Sequence, residues 1–182
     1  MADWQFIEEL GEWEGYRVEM NERGEDDSVW IELTPDGSHQ RTCSGCGLSG
    51  LPIHDSAPRW IRDLPILGVA TWLWVDRVRA ACPKCGPKVE LLPWLCRYSR
   101  VTRRLSESVA RLCKVLPIKH VAAHFELSWD QVKAIDKAYL YETLGPIDLS
   151  DIEQIAMDEF AIQKGHRYAT VILDPSTKKV LW

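Results

Sequence analysis

Apolar and polar positions alternate through the first half of the chain and recur at helical spacing through its middle. "YRVE" (16–19) and "SVWIEL" (28–33) flank the polar "MNERGEDD", which predicts a strand, a loop and a strand. "TWLWVDRVRAAC" (71–82) sets Trp72, Trp74, Val78 and Ala80 on one side and Leu73, Val75, Arg77 and Arg79 on the other. A period of two is the signature of a strand with two different faces. Residues 1–96 therefore read as a small β-rich module.

The period then changes. Leu105, Val109, Leu112 and Leu116 recur at spacings of four, three and four, which predicts a helix over 103–116 with one apolar stripe. Pro117 suits the first turn of a second helix, 117–125, whose stripe is Ile118, Val121, Ala122 and Phe125. Ser128 with Gln131 three residues later is a capping-box signal for a third helix, 129–141, with Val132, Ile135 and Tyr139 inward. "LGPIDLSD" (144–151) reads as a linker closing a unit that spans 97–145. Residues 146–182 return to strands: "EQIAMDEFAI", "RYATVIL" and, after a "DPST" turn, "KKVLW". The fold class expected is α+β.

Composition narrows the setting. A hydrophobic content of 46% is that of a folded chain, and nine Trp let small modules build cores from large rings. The longest apolar run, "LPILGVATWLWV" (64–75), is too short to span a bilayer. The acidic start "MADWQFIEEL" lacks the order of a signal peptide, so a cytoplasmic location with reduced cysteines is expected. The net charge of −5 hides an asymmetry: residues 1–36 carry 12 acids and 2 bases, residues 37–141 carry 16 bases and 8 acids, and residues 142–182 carry 4 bases and 7 acids. The basic middle is the part suited to phosphates.

Cys43-Ser-Gly-Cys46 and Cys82-Pro-Lys-Cys85 are paired knuckles, each followed by a glycine, Gly47 and Gly86. Zinc takes four soft ligands in a tetrahedron, and a two-residue gap lets both sulfurs of a knuckle reach one ion. A structural zinc is expected on these four residues; reduced, unliganded thiols are the alternative. Cys96, His39 and His54 are possible substitutes, and Cys113 reads as a small buried hydrophobe.

The three helices match a helix-turn-helix, although a plain three-helix packing unit would carry the same stripes. In that geometry the third helix enters the major groove and presents Gln131, Lys133 and Lys137, of which Gln131 suits an adenine edge and Lys133 guanine acceptors. "RYSRVTRR" places Arg97, Arg100, Arg103 and Arg104 together for backbone phosphates.

Paired knuckles around "RWIRDLP", the helical "VAAHFELSWDQVKAID" and "MDEFAIQKGHRYATVILD" together resemble the insertion-sequence transposases of the ISL-three family. The resemblance implies an N-terminal zinc finger, a helix-turn-helix and an RNase H-like domain with an Asp-Asp-Glu triad that uses magnesium or manganese. It makes Cys43, Cys46, Cys82 and Cys85 the zinc ligands and Asp158 the first triad acid, with Glu159 on the opposite face of its strand. The second Asp and the Glu of the family pattern have no counterpart by Trp182, which suggests a catalytic domain truncated after its first strands. The expectation is a DNA-binding portion that recognises transposon terminal inverted repeats and is inactive alone. A shortened regulator that still holds transposon ends and blocks the full-length enzyme, and a zinc-stabilised protein-interaction module with the acidic N-terminus as its working surface, are the competing readings; a homodimer or full-length transposase is the candidate protein partner.

Overall fold

The computed structural model describes residues 9, 11–96, 99–145, 148–163, 165 and 167–181. Arg97, Lys164 and His166 lie outside them. The protein is α+β, with three helices and two sheets among the described residues. It divides into two compact units, Met1–Tyr139 and Leu140–Trp182. The β module and the helical unit as far as Tyr139, separate readings in sequence, lie in the first of these.

That unit is built on a five-stranded sheet of β1 (Tyr16–Arg23), β2 (Val29–Pro35), β3 (Ile53–Ile66), β4 (Val69–Cys82) and β5 (Gly86–Val89). The order is β1-β2-β4-β3, β5 also pairs with β4, and only β2–β4 is parallel. Register gives the sheet two different faces. Ile31 opposes Leu73, Leu33 opposes Val75 and Ile61 opposes Leu73; these side chains are buried with Trp13, Tyr16, Leu92, Trp94 and Leu95 in one core. The other face carries Trp30 beside Trp72, and Glu32 and Trp60 flanking Trp74, matching the two-sided pattern of 71–82.

Three departures from the pattern have local causes. β1 runs on through Arg23 instead of ending at Glu19. A bulge between Val18 and Met20 flips the strand there, so Met20 and Glu22 join the outer face, where polar residues cost little. β3 is a single long strand through Pro58 and Pro65, which a sheet tolerates at its edge. Leu67 and Gly68, with φ of +51° and +79°, close the β3–β4 hairpin and cut the apolar run 64–75 in two.

The helices are α1 (Arg103–Cys113), α2 (Ile118–Phe125) and α3 (Trp129–Leu144). Thr102 caps α1 by accepting from the Leu105 N–H at 3.4 Å. α1 ends three residues before Leu116 because a proline at 117 disfavours helix in the residue before it and would crowd a continuing turn. Glu126, at φ +54°, ends α2, and the capping box at α3 forms: Ser128 N–H donates to Gln131 Oε1 at 2.9 Å and Gln131 N–H to Ser128 Oγ at 3.2 Å. Val101, Leu105, Val109, Val121, Ala122, Phe125 and Val132 close a second core, with Cys113 packed at its margin.

The second unit contains an antiparallel sheet of β6 (Ala156–Gln163), β7 (Arg167–Asp174) and β8 (Lys179–Val180). The expected last strand, 178–182, pairs over only two residues. No helix among the described residues is long and apolar enough to cross a membrane.

Candidate zinc centre and nucleic-acid interface

The first knuckle lies on the loop after β2 and the second on the β4–β5 hairpin, where Cys82 pairs with Gly86. An isolated bridge from Cys43 to Glu90 brings the loop against the segment just past the end of β5. The four sulfurs of Cys43, Cys46, Cys82 and Cys85 all lie within 4.8 Å of one another, and those of Cys46 and Cys82 are 3.6 Å apart. Four sulfurs at ~2.3 Å from a zinc stand roughly 3.8 Å from each other, so this donor set fits that ion.

Electrostatics favour the same reading. The Gly45 N–H, 3.3 Å from Cys43 Sγ, holds that thiol down at about 7. Cys85, facing Cys46 and Cys43, is pushed up to about 12. A divalent cation among the four sulfurs would offset the repulsion between thiolates held this close. Gly47 and Gly86 turn the chain at φ +73° and +69°, where glycine is favoured, and a Cβ on Gly45 would stand tightly, 3.2 Å from Cys85 Sγ. The possible substitutes are engaged elsewhere. His39 Nε2 is 2.5 Å from Glu90 Oε1, His54 Nδ1 is 3.0 Å from Asp55 Oδ2, and Cys96 faces Ser106 Oγ at 3.8 Å.

α3 presents Gln131, Lys133 and Lys137 on its exposed side, while Val132 is fully buried. Lys133 Nζ lies 4.8 Å from the Trp129 ring centroid, and the Gln131 carbonyl is used in the cap. The arginine stretch divides. Arg100 and Arg103 are exposed, with Arg103 Nε donating to the Pro93 carbonyl at 3.1 Å. Arg104 turns inward: its Nε and Nη2 donate to Asp63 at 2.8 and 2.5 Å. Asp63 also accepts from Trp13 Nε1, Leu64 N–H and Thr102 Oγ1. Arg104 is thus a clamp between β3 and α1.

Asp158 is exposed on β6 opposite Val171, and its Oδ1 accepts from the Glu159 N–H at 2.8 Å. Glu159, one position on, faces the other way and accepts from Thr170 Oγ1 at 3.3 Å. Asp174 is buried in its turn, where Thr177 Oγ1 and the Ser176 N–H hold its carboxyl below the usual range. Among the described residues, the four cysteines are the only cluster of three or more metal-ligating side chains. Asp158 alone does not make a magnesium or manganese site.

Two family models match this chain. The zinc finger of the IS204/IS1001/IS1096/IS1165 transposases matches residues 39–85, which contain all four cysteines. The helix-turn-helix domain of transposase family ISL3 matches residues 90–140. The chain carries the zinc-finger and helix-turn-helix domains of the ISL3 transposase family. A transposase for insertion sequence element IS1001 from Bordetella parapertussis is 44% identical over 187 aligned positions, covering 100% of this chain and 45% of the relative. A transposase for IS1557 from Mycobacterium tuberculosis is 26% identical over 171 positions, covering 93% of this chain and 38% of the relative. The chain therefore spans less than half the length of these relatives. No solved structure matches it.

Within the ISL3 zinc-finger match, the hairpin holds basic residues that the sequence pattern exposed but did not flag. Arg59, Arg77 and Arg79 share one face of β3–β4 and, with Arg100, line a cavity of about 270 Å³. Arg79 is paired with Asp55, whereas Arg77 Nη1 is buried with no partner among the described residues. The signal available in sequence was the alternation itself, which set Arg77 and Arg79 on the same side.

Proposed function

We propose that the chain binds duplex DNA at transposon terminal inverted repeats, with α3 in the major groove and exposed arginines on the phosphates. The observation that carries this reading is α3 itself. A capped helix offers Gln131, Lys133 and Lys137 outward while Val132 anchors it on the two preceding helices, within the ISL3 helix-turn-helix match. Arg100 and Arg103 stand ready for phosphates, and the exposed Arg59 extends the basic surface onto the zinc module. Zinc on the four cysteines holds the first knuckle to the β4–β5 hairpin and is structural, since all four positions around it are filled by sulfur.

Asp158 takes the place of the first triad acid of an RNase H-like domain in this reading, and the described residues gather no cluster of three or more ligating side chains around it. The test is a gel-shift titration with a terminal-repeat duplex and a scrambled duplex at several salt concentrations. Preference for the repeat, with affinity falling steeply as salt rises, is expected. Equal binding to both duplexes would remove the recognition role from α3.

A further inference from the structure

The face of the five-stranded sheet opposite its core is only partly covered. Cross-strand register arranges it in two rows: Glu22–Trp30–Trp72–Arg62, and Met20–Glu32–Trp74–Trp60. The first row ends in a guanidinium that is already satisfied. Arg62 lies 5.2 Å from the Trp72 ring centroid, donates to the Thr71 and Phe125 carbonyls, and sits 3.8 Å from Glu126.

The second row has the same ingredients without the cation. Trp60 and Trp74 have centroids 4.6 Å apart with rings inclined at 50°, and Trp30 lies 5.3 Å from Trp60. They bound a cavity of about 200 Å³ whose rim carries Glu22 and Glu32. Trp30 and Trp60 remain 41% and 38% exposed, a large apolar area to leave wet. Neither carboxylate has an ion-pair partner among the described residues.

We propose that this tryptophan cleft takes an arginine side chain from a partner protein segment. A planar guanidinium stacks on an indole face and still turns N–H groups to a neighbouring carboxylate, which a compact ammonium does less well. Arg62 over Trp72, with Glu126 alongside, shows the same sheet face holding a guanidinium in this way. Nucleic acid is disfavoured because Glu22 and Glu32 would meet phosphates. A second copy docked through the same patch is disfavoured because it would appose the same carboxylates. The arginines Arg59, Arg77 and Arg79 lie on the opposite face of the sheet, so the cleft does not depend on the DNA-binding reading.

The test uses the full 182-residue chain, labelled with nitrogen-15, and follows the indole N–H signals while a short arginine–glycine peptide is added. The same peptide with citrulline for arginine, and an oligothymidine strand, serve as separate titrants. Saturable movement of the Trp60 and Trp74 signals is expected, with affinity lowered about fivefold or more by citrulline and by Glu32→Gln, the scale of one cation–π contact. The proposal is overturned if those indoles do not move, if citrulline or Glu32→Gln leaves the affinity unchanged, or if oligothymidine moves them in place of the peptide. The citrulline comparison needs no variant, so it holds even if Glu32→Gln perturbs the fold.

Discussion

Asp63 has no exposed surface and accepts from Trp13, Leu64, Thr102 and Arg104, so removing Arg104 strands a buried carboxylate. Breaking one side of such a pair costs about 3 kcal/mol or more, whereas truncating an exposed residue costs under about 0.5 kcal/mol. Urea unfolding should therefore separate adjacent arginines: Arg104→Ala is expected to lower stability by about 3 kcal/mol, and Arg103→Ala to leave it nearly unchanged while weakening DNA binding. An Arg104→Ala protein with the parent midpoint would show that the clamp contributes nothing. The cysteines make a second case at this scale. Cys82 comes from a strand end and Cys43 from a loop, so a metal on their sulfurs ties together pieces with a small core of their own, Leu51 and Ala80. Native mass spectrometry should find one zinc per chain in the parent and none in Cys82→Ser, with loss of folded structure around the β4–β5 hairpin because binding energy is folding energy in such modules. Retention of zinc by the serine variant would remove Cys82 from the ligand set.

At the scale of elements, the capping box gives a way to separate folding from recognition. Gln131 accepts from the Ser128 N–H and also sits on the side of α3 offered to DNA. Glu serves this cap as well as Gln does, so Gln131→Glu should keep stability within about 0.5 kcal/mol. It also places a carboxylate where bases and phosphates are expected, so terminal-repeat affinity in a gel shift should fall at least about tenfold, the scale of one lost base contact. Unchanged affinity would place Gln131 outside the interface. The helices were legible from sequence because their signals are local: leucine spacing, Pro117 and the Ser128–Gln131 pair each act within a turn. The cysteine knuckles were legible for a similar reason, since two-residue spacing fixes which sulfurs can share an ion. β3 was not delineated, because Pro58 and Pro65 argue against a strand until its edge position is known. The inward turn of Arg104 was equally hidden. Its partner lies 41 residues away, and nothing within the arginine run distinguishes it from Arg103.

For the whole molecule, the question is whether holding DNA and carrying Asp158 amount to strand cleavage. Two divalent ions repel each other and are kept together only by several carboxylates within a few ångströms. On β6, Asp158 and Glu159 occupy successive positions and so point to opposite faces of the sheet. The other acid of this sheet, Asp174, is committed to its turn by Ser176 and Thr177. The face that holds Asp158 is otherwise apolar, with Phe160, Ala169, Val171 and Leu173 around it by register, and Phe160 is 52% exposed. A carboxylate in that setting, with no second acid beside it by register on that face of the sheet, gains little from a divalent ion. The 182-residue chain is therefore expected to bind labelled terminal-repeat DNA without nicking or joining it in magnesium or manganese, and Asp158→Ala should behave as the parent does. Binding without cleavage would place recognition in the zinc-finger and helix-turn-helix domains and leave the chemistry to carboxylates that these strands do not bring together. Cleavage by the parent that disappears in Asp158→Ala would reverse the conclusion, because it requires companion acids to reach Asp158, from a second copy of the chain or from residues outside those described.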